Sequence, residues 1–154
     1  YMTYLTKLLA GLAVVTILAL NGVAATAHVA TTAHNHKTAT ITKKVLGQHL
    51  KVFVEGNVAA IMANYAADAV FITQAGVLRG RDQIRPIFEG LVAEFGKPGT
   101  SFEMIQQVID GNLAYIVWKA ETADNVYEIG TDTFVVRNGK IVQQTLAAKI
   151  TPKL

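Results

Sequence analysis

Hydrophobic and polar positions change their period near Thr100. From there to Ile150 they alternate residue by residue in four β-rich runs, as strands with one buried face do. Three turn signals divide the runs: Asp110-Gly111-Asn112, Ala123-Asp124-Asn125 and Asn138-Gly139. Asn-Gly between two strand patterns marks a tight hairpin, because both residues accept positive φ. The four runs read as an antiparallel meander.

Upstream, the apolar spacing is helical. Val45, Leu46, His49, Leu50, Phe53 and Val54 make one face, with Thr42 expected as N-cap and Gly56 as the left-handed residue that ends the helix. Asn57 is placed to cap a second, short helix turned inward through Val58, Ile61, Met62 and Tyr65. Ala69 to Gln74 reads as a first strand, followed by a turn at Ala75-Gly76 and a short run, Val77 to Arg79. Gly80 to Gly96 is a third helix with the stripe Ile84, Ile87, Phe88, Leu91 and Phe95. Pro86 is expected either in its first turn or at a bend. The fold class is α+β: a strongly curved mixed or antiparallel sheet covered by three N-terminal helices, with room for a pocket between them.

The first residues change the picture of where the protein acts. Lys7 supplies a positive start, Leu8 to Leu20 is an apolar run interrupted only by Thr16, and Ala25-Thr26-Ala27 offers small residues at cleavage spacing. Residues 1–27 therefore read as a signal peptide, and the protein as exported, periplasmic or secreted. The run is short for a membrane span, so no stable anchor is expected after cleavage. Residues 28–41, rich in Thr, Ala and His without periodicity, read as a flexible leader. Its His28, His34 and His36 lack a nearby carboxylate or fourth ligand, so no metal site is expected. The domain proper runs from 42 to 151.

Composition adds exclusions. At 154 residues, 51% hydrophobic and 16% charged, the chain makes one domain with a substantial core. A net charge of +3, scattered and without a basic stripe, gives no footprint for nucleic acid. The absence of cysteine removes disulfides, thiolate metal sites and a thiol nucleophile. No HExxH, P-loop or dinucleotide glycine pattern occurs, and no cofactor is expected.

Several short motifs carry a family resemblance. They are Glu55-Gly56-Asn57, then Tyr65-Ala66-Ala67-Asp68-Ala69-Val70, then Gly80-Arg81-Asp82-Gln83-Ile84. Thr131-Asp132-Thr133-Phe134 follows, leading into Arg137-Asn138-Gly139-Lys140-Ile141. In this order they resemble the nuclear transport factor 2-like superfamily, in its SnoaL-like and ketosteroid isomerase-like branch, over about Thr42 to Ile150. The resemblance implies a cone-shaped roll with an apolar cavity and a homodimer formed through the sheet. It leaves activity open, since the superfamily holds isomerases, cyclases, epoxide hydrolases, dehydratases and domains that only bind or scaffold.

Strand parity then nominates the site. Asp132 shares a face with Gly130, Phe134 and Val136; Gln144 shares one with Val142, Leu146 and Ala148; Trp118 shares one with Ala114, Ile116 and Ala120. The resemblance turns the first two sets inward. Asp132, amid apolar neighbours, is expected to have a raised pKa. It matches the isomerase aspartic acid that donates a hydrogen bond to the developing oxyanion. Aligned by the resemblance, His49 occupies the place of the isomerase tyrosine and is expected to donate to a ligand, act as general base or pair with Asp132. Each also has a plain structural reading, as a satisfied core group. Tyr65, Phe71, Trp118, Phe134 and Gln144 are the expected ligand-contacting wall. The isomerase general base has no counterpart: its position falls near Thr73, and no carboxylate lies between Asp68 and Asp82. Asp68, Arg79 and Asp132 have the residue types of an epoxide hydrolase group, although Asp68 is expected at a helix end, and Arg79, Arg81 and Arg85 on the solvated surface. Three readings follow: a binding domain for a small hydrophobic molecule, a proton-transfer enzyme using His49 and Asp132, or a sheet-mediated dimerisation module without ligand.

Overall fold

The computed structural model describes residues 23–154, with side chains from residue 35 onward. The positive and apolar parts of the expected signal peptide, and the side chains of His28 and His34, lie outside the described residues. Helix α1 spans Val23–Val54 and α2 spans Val58–Asn64. Strands β1 (Tyr65–Thr73) and β2 (Gly76–Arg79) precede helix α3 (Gly80–Phe95). The meander is β3 (Ser101–Asp110), β4 (Leu113–Glu121), β5 (Asn125–Arg137) and β6 (Lys140–Pro152). One six-stranded sheet results, in the order β2-β1-β6-β5-β4-β3. Only β1 and β6 run parallel; the other neighbours are antiparallel.

The α+β architecture is the expected one, and the turns explain much of it. Asn138 and Gly139 have φ of 51° and 70°, so the β5–β6 hairpin closes with two left-handed residues that match strand twist. Helix α1 lies against β3, β4 and β5, while α3 lies against β1 and β2. Leu46, Ile61, Tyr65, Phe71, Ile84 and Phe134 are fully buried between these layers. Each such side chain contributes about 1.5–3 kcal/mol of transfer free energy.

Within the meander, three inserted residues add curvature. Ile105 is inserted between the pairs Met104–Trp118 and Gln106–Val117. Glu128 is inserted between Tyr127–Ile150 and Ile129–Lys149, and Val142 between Val135–Gln143 and Val136–Ile141. A bulge leaves two residues opposite one, bends its strand and increases the twist.

Local expectations need correcting at Thr42, Tyr65, Asp68 and Val142. Thr42 does not cap a helix: α1 passes through it from Val23 and takes in the segment expected as a leader. The Thr42 hydroxyl instead lies 3.0 Å from the Thr38 carbonyl and 2.8 Å from that of Gly111, tying α1 to the β3–β4 turn. Tyr65 opens β1 rather than ending α2, with its backbone N–H closing the α2 C-terminus onto the Met62 carbonyl. Asp68 is an exposed residue of β1, not a helix terminus. Because of its bulge, β6 turns Ile141 rather than Val142 fully inward. Pro86 sits inside α3, beyond its first turn.

Candidate functional site

The meander places Asp132, Gln144 and Trp118 on neighbouring strands, and one polar chain joins them. The Trp118 indole N–H donates to Asp132 Oδ2 at 2.8 Å, and the Gln144 amide donates to Asp132 Oδ1 at 2.8 Å. The Tyr65 hydroxyl donates to Gln144 Oε1, completing a line from β1 through β6 and β5 to β4. Gly130 makes the Trp118 contact possible. It lies opposite Trp118 in the ladder, and a Cβ there would stand 2.3 Å from the indole ring. The glycine lets the indole fold flat across β5 and reach Asp132.

The charges follow from burial. Asp132 is pushed up from 3.8 to about 6, because desolvation outweighs the hydrogen bonds from Gln144 and Trp118. It is therefore mostly a carboxylate at neutral pH, whereas the isomerase resemblance implies a neutral acid there. His49 is pushed down from 6.5 to about 4 by desolvation alone and stays neutral. Tyr65 is raised well above its usual value, first by burial and then by the negative charge of Asp132.

His49 and Asp132 do not form the expected pair. No hydrogen bond joins them, and the buried Nδ1 of His49 has no partner. The imidazole packs edge-on with its ring centre 5.5 Å from those of Tyr65, Phe88 and Phe134. Such ring packing holds an imidazole in place without satisfying its nitrogens.

Both residues border a cavity of about 570 Å³. Its wall is drawn from α1, α3, β1 and the meander, and is apolar apart from His49, Thr73, Gln74, Asp132, Gln144 and a few other polar groups. Of the expected contact residues, Phe71, Trp118, Phe134 and Gln144 lie on that wall. Tyr65 does not: it stands behind it, fully buried, hydrogen-bonded to Gln144 and packed on His49 and Phe88. Thr73 is on the wall, and Asp132 is the sole carboxyl among the lining residues. Asp68 and Arg79 are exposed and absent from the wall, so the epoxide hydrolase group is not assembled.

Two structural ties were not expected. Arg81 is not simply solvated: its Nε donates to the Tyr65 carbonyl at 3.0 Å, joining the start of α3 to β1. Glu94 accepts from the Thr122 hydroxyl (2.7 Å), the Asn125 amide (2.8 Å) and the Tyr127 hydroxyl (2.9 Å). It fastens the last turn of α3 to the β4–β5 turn. Phe53, Phe88, Phe95 and Tyr127 also join the wall. Helical spacing marked Phe53, Phe88 and Phe95 as inward, but spacing alone does not separate core from cavity.

A curved sheet covered on one side by helices, with a hollow between them, defines the nuclear transport factor 2-like class, and solved structures agree. SalBIII, described as an epoxide hydrolase/cyclase-like enzyme in pyran ring formation in the polyether salinomycin, superposes with a TM-score of 0.61 at 19% identity, covering 73% of this chain and 95% of that one. A candidate ketosteroid isomerase from Kribbella flavida gives 0.59 at 14% identity, covering 75% and 82%. An NTF-2 like protein of unknown function from Burkholderia xenovorans gives 0.59 at 21%, covering 73% and 85%. These likenesses establish the fold alone. The sequence model of the SnoaL-like domain matches residues 46–144, and the chain belongs to that family. A search of curated proteins returns no match.

Proposed function

We propose that this chain is an exported binding domain that holds a small hydrophobic molecule in the cavity between sheet and helices. One observation carries the reading: about 570 Å³ of mostly apolar hollow with a few converging polar groups, Asp132 and Gln144 foremost. Small-molecule sites have this size and this sparse polarity. The test is solvent extraction of the purified protein followed by mass spectrometry, with Ala148→Trp as control. Ala148 is a half-buried wall residue on β6, and an indole there occupies the hollow. A lipophilic compound recovered from the native chain and lost from the variant supports the reading. An empty native chain that gains no thermal stability from any lipophilic compound overturns it.

A second reading is an enzyme of isomerase, hydrolase or cyclase type. The burial-shifted carboxyl of Asp132 favours it, since a group titrating near 6 exchanges protons readily around neutrality. In that case Asp132, ionised, is the better proton acceptor, and His49, neutral, the better hydrogen-bond donor. Conversion of the extracted compound on incubation, abolished in Asp132→Asn, selects this reading; recovery unchanged selects the first.

Association through the sheet completes the proposal. Val77, Ile72, Thr145, Thr133, Tyr115 and Val108 face one another in turn across all six strands on the side away from the cavity. Their β-branched and aromatic side chains, including Val77 at 50% and Ile72 at 46% exposure, form a row suited to a second copy.

A further inference from the structure

Asp132 is a buried carboxylate without a cation. It is 6% exposed and takes part in none of the ion pairs among the described residues. Its two hydrogen bonds come from neutral donors, Trp118 and Gln144. No Lys or Arg lies on the cavity wall, and the basic group that does, His49, is held neutral by burial. Tyr65, the other titratable group linked to the carboxylate, is neutral as well. Leaving a charge in an apolar interior without an opposite charge is costly. A carboxylate accepts about four hydrogen bonds, so two protein donors leave it acceptor capacity to spare.

The surroundings favour one kind of partner. Trp118 packs with Phe95, Phe102 and Tyr127, their ring centres 5.6–6.3 Å from its own. On the other side, Phe134 and Phe88 pack around His49. Hydrogen bonds tie Asp132 directly to Trp118 and, through Gln144, to Tyr65, whose ring packs on His49. Trp118 meets Asp132 through its N–H edge with Phe102 stacked on its ring, so the aromatic groups supply a dry apolar rim, and the uncompensated charge is what calls for a cation. A neutral hydroxyl would satisfy the carboxylate's lone pairs but leave its charge uncompensated.

We propose that the cavity selects a lipophilic amine in its protonated form, with the ammonium seated on Asp132 beside the aromatic rings and the apolar body filling the hollow. This rests on the cavity being a binding site, and the experiment separates the two claims. Binding of 4-phenylbutylamine and of 4-phenylbutanol, which share the body and differ in the head group, is measured by calorimetry. At pH 7.5 the amine is expected to bind at least tenfold more tightly than the alcohol. That preference shrinks as pH falls towards 5 and Asp132 takes up a proton, and the ratio of amine to alcohol affinity falls to about one in Asp132→Asn. The pH series on the native chain stands by itself if the variant fails to fold. An alcohol bound as tightly as the amine at pH 7.5 overturns the amine proposal and leaves the cavity reading intact. Failure of both probes, with nothing lipophilic extracted from the protein, overturns both.

Discussion

Burial pushes the Asp132 carboxyl up to about 6 and the His49 imidazole down to about 4, and the two shifts act on stability with opposite signs. For His49 the folded pKa lies below the unfolded one. Its contribution is present above about 6.5 and is lost as pH falls from there towards 4, because the unfolded chain takes the proton first. For Asp132 the folded value lies above the unfolded one. Its contribution is complete below about 3.8 and is lost as pH rises through about 6. Each effect reaches about 3 kcal/mol at full extent, so between pH 4 and 6.5 they largely offset. Urea midpoints measured across that window check this. Relative to the native chain, His49→Phe should gain stability on acidification, and Asp132→Asn should lose it. Three parallel curves would show that neither group titrates differently in the fold.

At the scale of elements, Glu94 fastens helix to meander. Burial opposes its charge, but three hydrogen bonds, from Asn125, Thr122 and Tyr127, prevail and hold its pKa below the usual value. The stability this gives is present above the ordinary carboxylate pKa and is lost as pH drops through the lowered one. Glu94→Ala should cost about 1–3 kcal/mol in urea denaturation and speed amide exchange in the last turn of α3. Unchanged exchange there would remove Glu94 from its fastening role. The elements also mark where sequence reading succeeds. Alternation through Thr131-Asp132-Thr133-Phe134 and the Asn138-Gly139 turn place the meander, because each is a local property. The Val142 bulge is not local: one inserted residue changes which side faces inward, and counting by twos passes over it. Tyr65 fits the helical stripe four residues after Ile61, yet its side chain is used by Gln144, 79 residues away. The partners of Asp132 were legible only as residue types on inward faces. Which of them touch depends on register, and on Gly130 leaving space for the indole.

For the whole molecule, the two faces of the sheet serve different proposed partners. Tyr115 stands near the middle of the outer row, 37% exposed, with Thr133 opposite on one side and Val108 on the other. A lysine there puts like charges together across a two-fold contact and exposes a charged group to an apolar one. Tyr115→Lys should shift the sedimentation coefficient from that of a dimer to that of a monomer, with the fold retained by circular dichroism. A native chain that sediments as a monomer at tens of micromolar would dismiss the association.

Inner and outer residues alternate on the same strands: Asp132 and Phe134 flank Thr133, Gln144 and Leu146 flank Thr145, and Ala114 and Ile116 flank Tyr115. The backbone behind the proposed binding site is thus also the backbone of the proposed contact face. If docking on the outside straightens or tightens these strands, affinity on the inside must change, and linkage requires the converse by the same factor. A pair of such chains would then hold its two guests at hollows that sense each other.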